Sequence, residues 1–276
     1  MNKFALLLRL AILFLSTIVF RFSVEAIDGN HRDAPFDQPH SFTDKHMKIL
    51  LLISSSDDQP IYPECEKIWR AYMHLDPDHV EAYFFKSNPE LEVPCKIEGD
   101  IIRAQAETSG FPGGMQKTLR SMELMLPRIH EFDYVVRITV SSFIYFPRLF
   151  DFLESLPKIG CCSAVKGLDI IEFPSGAGII FSPDVVELLV DNKKQLWDLR
   201  TYDDVLLGWF LAENKIPIIP ATRCDLLSVD SWFHLKDNIP DHIFHFRVKT
   251  PNPNLRVTED IYILKELLKR YYDIPL

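Results

Sequence analysis

Three segments bring together residue types that do chemistry. In Tyr202-Asp203-Asp204-Val205-Leu206-Leu207-Gly208-Trp209 two adjacent carboxylates open an amphipathic run. A carboxylate there has two uses. As a helix cap it satisfies free N–H groups and suits the helix dipole; as a general base it removes a proton from an acceptor hydroxyl. Phe173-Pro174-Ser175-Gly176-Ala177-Gly178 holds two of the chain's 10 glycines just before the strand-like Ile179-Ile180-Phe181. That placement predicts a tight turn, either plain or passing close to something bulky. Residues 242–257 contain His245, Arg247, Lys249 and Arg256 and no acidic residue at all. They form a local positive site suited to phosphate, or a solvated basic loop.

The basic stretch stands out because the chain as a whole is acidic. Its 276 residues carry 30 Lys plus Arg against 39 Asp plus Glu, a net charge of -9. That balance argues against a general nucleic-acid partner, since neutralising phosphates needs a basic face. With 47% apolar, 12% aromatic and 25% charged residues, the composition is that of a folded globular protein and not of a disordered, collagen-like or coiled-coil chain. Residues 5–20 are apolar except for Arg9, Ser16 and Thr17, with Lys3 before and Arg21 after them. The length fits a signal-peptide core, with small residues near Ala26 for cleavage, or a short signal-anchor. Residues 1–26 are therefore expected to be a signal peptide or signal-anchor and residues 27–46 a linker or stem. Residues 47–276 form one domain, placed in the lumen of the secretory pathway or in a bacterial periplasm. Basic and acidic residues balance through His46, so the whole charge belongs to that domain. Five cysteines, Cys65, Cys95, Cys161, Cys162 and Cys224, predict one or two disulfides and at least one free thiol in an oxidising compartment.

Positioning the three segments requires an alternating scaffold. Residues 47–54 (MKILLLIS) read as a buried parallel strand, followed by a helix over 64–73 and a strand over 80–85. A helix is expected over 116–126, a strand over 134–138, and a helix over 148–156. Residues 178–181 are strand-like, 183–190 and 203–213 helical, 216–219 a short strand, and 258–272 a capped terminal helix. The alternation implies an α/β fold with a mixed, mostly parallel sheet flanked by helices. In such sheets ligands sit at the carboxyl ends of strands.

The order of these pieces resembles the β1,3-glycosyltransferase and fringe-like families, which have the GT-A nucleotide-sugar fold. The likeness spans roughly residues 47–250. It runs through LLLISSS at the first strand, Glu98-Gly99-Asp100-Ile101-Ile102, Lys117-Thr118-Leu119 and the strand at Tyr134. Residues 173–182 are similar to the family's Pro-Ser-Gly-Ala-Gly-Tyr-x-x-Ser, and Asp203-Asp204-Val205-x-x-Gly208 to its Glu-Asp-Val-x-x-Gly. The resemblance implies an inverting hexosyl transfer from a nucleotide sugar, a UDP-sugar, to a hydroxyl of a glycan or glycoprotein. In it Asp204 is the base and Asp203 its neighbour. Ser175, Gly176 and Gly178 border the sugar and acceptor.

One departure from the family pattern matters. The family's strand leads into an Asp-x-Asp triplet holding a divalent metal, manganese, on the donor diphosphate. Here the corresponding residues are Thr139-Val140-Ser141, which carry no carboxylate. Hydroxyls alone hold a hard cation poorly, so no metal is expected. The literal triplet Asp76-Pro77-Asp78 falls between a helix and the next strand and reads as a surface turn. Two readings follow. Either fixed cations replace the metal, with Arg247, Lys249 and His245 on the diphosphate, Arg137 assisting or pairing with a structural carboxylate, and Thr139 and Ser141 donating hydrogen bonds. Or the chain is a non-catalytic relative that binds a glycan or scaffolds a partner. Glu98 and Asp100 are either near the uridine or simply exposed.

Overall fold

The computed structural model describes residues 47–168, 171–197 and 201–276. The expected signal segment and stem lie outside the described residues. Among the described residues no helix is long and apolar enough to cross a membrane.

The elements run in chain order as β1 (Ile49–Ser54), α1 (Tyr62–Arg70), β2 (Val80–Ser87), β3 (Cys95–Glu98), β4 (Ile101–Ala104) and α2 (Gly113–Met125). Then come β5 (Tyr134–Thr139), β6 (Ser142–Ile144), α3 (Phe146–Leu153), β7 (Cys162–Leu168), β8 (Glu172–Phe181), α4 (Pro183–Asp191) and α5 (Lys193–Trp197). The chain finishes with α6 (Asp203–Glu213), β9 (Ile218–Pro220), β10 (Cys224–Leu226), α7 (Val229–Leu235), β11 (His245–Val248) and α8 (Arg256–Tyr272). Eight strands form one mixed sheet in the order β3-β4-β2-β1-β5-β8-β7-β9, and β10-β11-β6 form a second, small sheet. Parallel pairing joins β1 to β2 and β5, β2 to β4, and β7 to β9, while β3, β8 and the β7–β8 pair run antiparallel. This is the mixed, mostly parallel α/β architecture that the alternation implies.

The run Ile49-Leu50-Leu51-Leu52-Ile53 is continuous because both faces of β1 are covered. Leu50 and Leu52 pack with Phe85, Val135, Ile179 and Phe181 beneath α2, α4 and α6. Ile49, Leu51 and Ile53 face the other way, with Phe84, Val136 and Ile138, onto α1, α3, α8 and the small sheet. Successive side chains of a strand point to opposite faces, so a doubly covered strand has no polar alternation.

Three expectations change. The five cysteines are all free. Cys65, Cys95 and Cys224 lie on α1, β3 and β10, and the adjacent Cys161 and Cys162 at the start of β7 point into opposite cores. The glycine-rich segment at Ser175 is not a tight turn but part of the long strand β8. The terminal helix starts at Arg256 without a side-chain cap, and the Thr258 hydroxyl instead donates to Leu255 O at 2.9 Å. Asp76-Pro77-Asp78 is a turn, as read, with Asp76 bonded to His79 at 2.8 Å.

Candidate functional site

The site forms where β1 and β5 end side by side. Ser54 pairs with Thr139, so both strands finish at one edge of the sheet. β8 runs antiparallel to β5 with Gly178 opposite Ile138, which carries Ser175, Gly176 and Ala177 past the mouth of β5. α6 lies directly on β8: a Cβ on Gly208 would be 2.6 Å from Glu172 O and from the Phe173 side chain. Glycine at that position is what lets the helix come close enough to set its first residues beside Gly176.

Asp203 and Asp204 occupy the first turn of α6, following Tyr202 at the N-cap. Their oxygens accept from the next N–H along the chain, Asp203 Oδ1 from Asp204 at 3.0 Å and Asp204 Oδ1 from Val205 at 2.9 Å. Beyond that local role the two carboxylates diverge. Asp203 Oδ2 accepts from Arg137 Nη2 at 2.7 Å, and the buried guanidinium also donates to Gly176 O. Among the described residues no cation is bonded to Asp204 in this way. Burial and then the neighbouring Asp203 charge raise its pKa above the usual carboxylate range, against N–H groups of Val205 and Gly176 and the charge of Arg137. One carboxylate is thus neutralised and held, and the other is left as a proton acceptor of raised basicity.

Between β5 and β6 the chain crosses from the large sheet to the small one. Val140 is buried there: its N–H donates to Ser54 O at 2.9 Å, and its carbonyl accepts the Trp69 indole N–H at 3.0 Å. Thr139 Oγ1 lies 3.4 Å from Ser141 Oγ and 3.2 Å from Ser142 Oγ. Ser142 continues the chain to His245 Nε2 at 3.1 Å. The His245 imidazole fills the space that Gly178 leaves, where a Cβ would be 2.5 Å from its Cε1. Burial, then the charges of Arg223 and Arg247, hold His245 well below its ordinary pKa, so it is neutral.

Around Thr139 and Ser141 the neighbouring side chains are already bonded to protein partners. Thr139 and Ser141 offer hydroxyls, His245 is bonded to Ser142, and Asp203 is bonded to Arg137. Among the described residues no group of three or more His, Cys, Asp or Glu could hold a metal ion.

Positive charge surrounds this edge. Arg247 lies in register between Asp225 of β10 and Ser142 of β6. It is half-buried, and its pKa is lowered by burial and by Arg223, with Asp225 and Asp204 opposing. Lys249 is exposed, and its pKa is lowered by burial of part of the chain and then by Arg247 and Arg256. Among the described residues neither makes an ion pair within 4 Å, whereas Arg256 is held by Asp260 at 2.8 Å. Opposite, Lys117 Nζ donates to Ser55 O at 2.7 Å, and burial followed by the Arg137 charge brings its pKa down to about 8.

The structure therefore gathers Arg137, Thr139, Ser141, Gly176, Gly178, Asp203, Asp204 and His245 around one strand edge, with Ser175 on its rim. His245 and Arg137 point inward to protein partners. Glu98 pairs with Lys96 at 2.6 Å and Asp100 with Arg70 at 2.6 Å. Sequence reasoning missed Arg223, which is bidentate on Asp225 and donates to Ser175 Oγ at 2.8 Å. It also missed the network in which Lys86 pairs with Asp57 and Glu66, each at 2.7 Å, and Ser55 Oγ donates to Glu66 at 2.6 Å. Lys117 lay in a quoted motif, but nothing in its local sequence signalled burial.

No protein-family model and no curated protein sequence matches the chain. Among solved structures it is similar to a glycosyltransferase involved in the glycosylation of the major capsid of PBCV-1. That match has 13% identity, 78% of this chain and 98% of that chain covered, and a TM-score of 0.46. Mouse xyloside xylosyltransferase 1, in its apo form, matches at 8% identity over 73% of this chain and 97% of that chain, with a TM-score of 0.39.

Proposed function

We propose that the chain is an inverting glycosyltransferase that moves a hexose from a UDP-sugar to a hydroxyl of a glycan or glycoprotein without a divalent metal. The observation that carries this reading is the division of labour at the start of α6. Asp203 is tied to Arg137, while Asp204 is left with a raised pKa facing a strand edge ringed by cations. In the proposed step Asp204 accepts the proton of the acceptor hydroxyl as its oxygen attacks the anomeric carbon. The bond to the diphosphate breaks on the opposite face. Arg247 and Lys249 stabilise the departing charge, as fixed dipoles and cations do best in a pre-arranged site. Lys117 adds a cation from the side of β1. Thr139 and Ser141 offer hydroxyls to phosphate or ribose, and Ser175, Gly176 and Gly178 border the sugar. Asp203 positions Arg137 and the first turn of α6.

The hydroxyl triplet favours one second reading, a glycan-binding protein without turnover. One experiment separates the two. UDP-sugar hydrolysis and transfer by the protein, measured with excess EDTA, are expected to persist, and Asp204→Asn to lower turnover by roughly 10²–10⁴-fold with UDP binding retained. Activity abolished by EDTA and restored by manganese refutes metal independence. UDP-sugar binding with no turnover in any donor tested assigns the chain to the second reading. We further propose a place in the secretory lumen, with the amino-terminal segment as the membrane link if it is retained.

A further inference from the structure

Two exposed aromatic rings stand just outside the carboxylate pair. Tyr202 is 67% exposed and Phe111 44% exposed, and they meet edge to face with ring centroids 5.4 Å apart at 67°. Both are fixed by the starts of helices. Tyr202 is the N-cap of α6, and its carbonyl accepts the Leu206 N–H at 3.0 Å. Phe111 precedes Pro112, the N-cap of α2, whose carbonyl accepts the Gln116 N–H at 3.0 Å. The two helix starts touch through the site itself, because a Cβ on Gly114 would lie 3.6 Å from Asp203 Oδ2. The rings are therefore placed by the same contact that places the carboxylates.

We infer that Phe111 and Tyr202 are the binding platform for the acceptor sugar, an inference that rests on the transferase reading of Asp204. A pyranose ring has one face of C–H bonds and a rim of hydroxyls. An exposed aromatic face matches the first and leaves the second free to reach a base. An edge-to-face pair leaves ring surface uncovered, and Tyr202 is one residue from Asp203 and two from Asp204. A sugar lying on the platform has its hydroxyl edge directed at Asp204. The donor diphosphate is assigned to Arg247 and Lys249, which approach from the small sheet, and to Lys117 of α2, whose Nζ is bonded to Ser55 O at the end of β1.

The platform is tested by ligand-observed saturation-transfer NMR with methyl β-D-galactopyranoside and methyl β-D-glucopyranoside, beside calorimetric titration of UDP. Transfer to ring C–H protons is expected with the wild-type protein. Tyr202→Ala and Phe111→Ala are expected to weaken the sugar by roughly three- to tenfold. Tyr202→Phe should keep it, and Tyr202→Leu, apolar but not flat, should lose it. UDP affinity should stay within twofold in all four. No transfer from the wild-type protein to either sugar overturns the proposal, as does equal transfer from the Tyr202→Ala protein. A fall in UDP affinity on removing either ring also overturns it, because it assigns the rings to the nucleotide. Failure of the transferase reading shows separately, as UDP that does not bind the wild-type protein.

Discussion

Replacing Gly178 with alanine tests the packing that holds the site together. A Cβ at this position would lie 2.5 Å from His245 Cε1 and 2.9 Å from Nδ1, distances that no relaxed methyl group tolerates. The ring has little room to retreat: it is buried, and Nε2 is bonded to Ser142 at 3.1 Å. The added methyl must push the imidazole, and with it the Ser142 and Thr139 hydroxyls, or bend β8 away from β5. Overpacking of this severity costs about 2–3 kcal/mol, in the upper part of the range for inserted methyl groups. For a domain of this size that corresponds to a fall in Tm of about 4–12 °C, read by circular dichroism or differential scanning fluorimetry. The cause is checked by a second substitution. His245→Ala removes the ring that the methyl strikes, so the double variant should lose at least 0.5 kcal/mol less than the sum of the two single losses, roughly the smallest coupling such a cycle resolves. A Gly178→Ala protein that melts within about 1 °C of wild type, or losses that add, would refute the contact.

Three further outcomes follow from the charges. Asp204→Asn should stabilise the fold at neutral pH. The folded pKa of Asp204 is raised, so its contribution is favourable at low pH and lost as pH rises through the folded value. The Tm advantage of the variant over wild type should therefore grow as pH rises from the ordinary carboxylate value through the raised folded one, and a constant difference would contradict the raised pKa. Arg137→Met, by contrast, leaves Asp203 without its counter-ion and Gly176 O without its donor. The expected loss is about 2–3 kcal/mol in urea unfolding, discounted because Asp203 keeps partial contact with water. Arg247→Ala with Lys249→Ala should weaken UDP at least tenfold by calorimetry yet leave Tm unchanged or higher, since burial and neighbouring cations lower both pKa values and, among the described residues, neither has a carboxylate within 4 Å. Unaltered UDP affinity would remove the basic strand from the donor site.

What was legible in the sequence was what repeats or stands alone. The five aliphatic residues of β1 announce a doubly covered strand, and the alternation of such runs with helical stretches gives the sheet. The carboxylates before Val205 mark a helix start that the structure keeps at Asp203. β6 and β10 were invisible: each has three residues, too few to show a period, and neither has an aliphatic run like the Ile216-Pro217-Ile218-Ile219 that marks β9. The small sheet, and with it the surroundings of Arg247, therefore went unforeseen. Gly178 shows a second limit. Its glycine looked like a local turn signal, but it is required by His245, 67 positions later in the chain, pressing on an extended strand. Arg223 and Lys117 show a third: a single cation gives no local sign of whether the fold will bury it.

The free cysteines bear on how the protein can be made and labelled. Burial raises every thiol: Cys65 and Cys95 to about 12, Cys161 and Cys224 to about 11, and Cys162 higher still. Thiolate is the reactive form, so all five are poor nucleophiles at neutral pH. A fold with no cross-link to close owes nothing to the redox state of the compartment in which it forms. Residues 47–276 should assemble in a reducing bacterial cytoplasm as readily as in an oxidising lumen. The native thiols are quiet enough that a cysteine introduced on the open face of α6 would take a maleimide dye selectively, turning the carboxylate helix into a point of attachment beside the site.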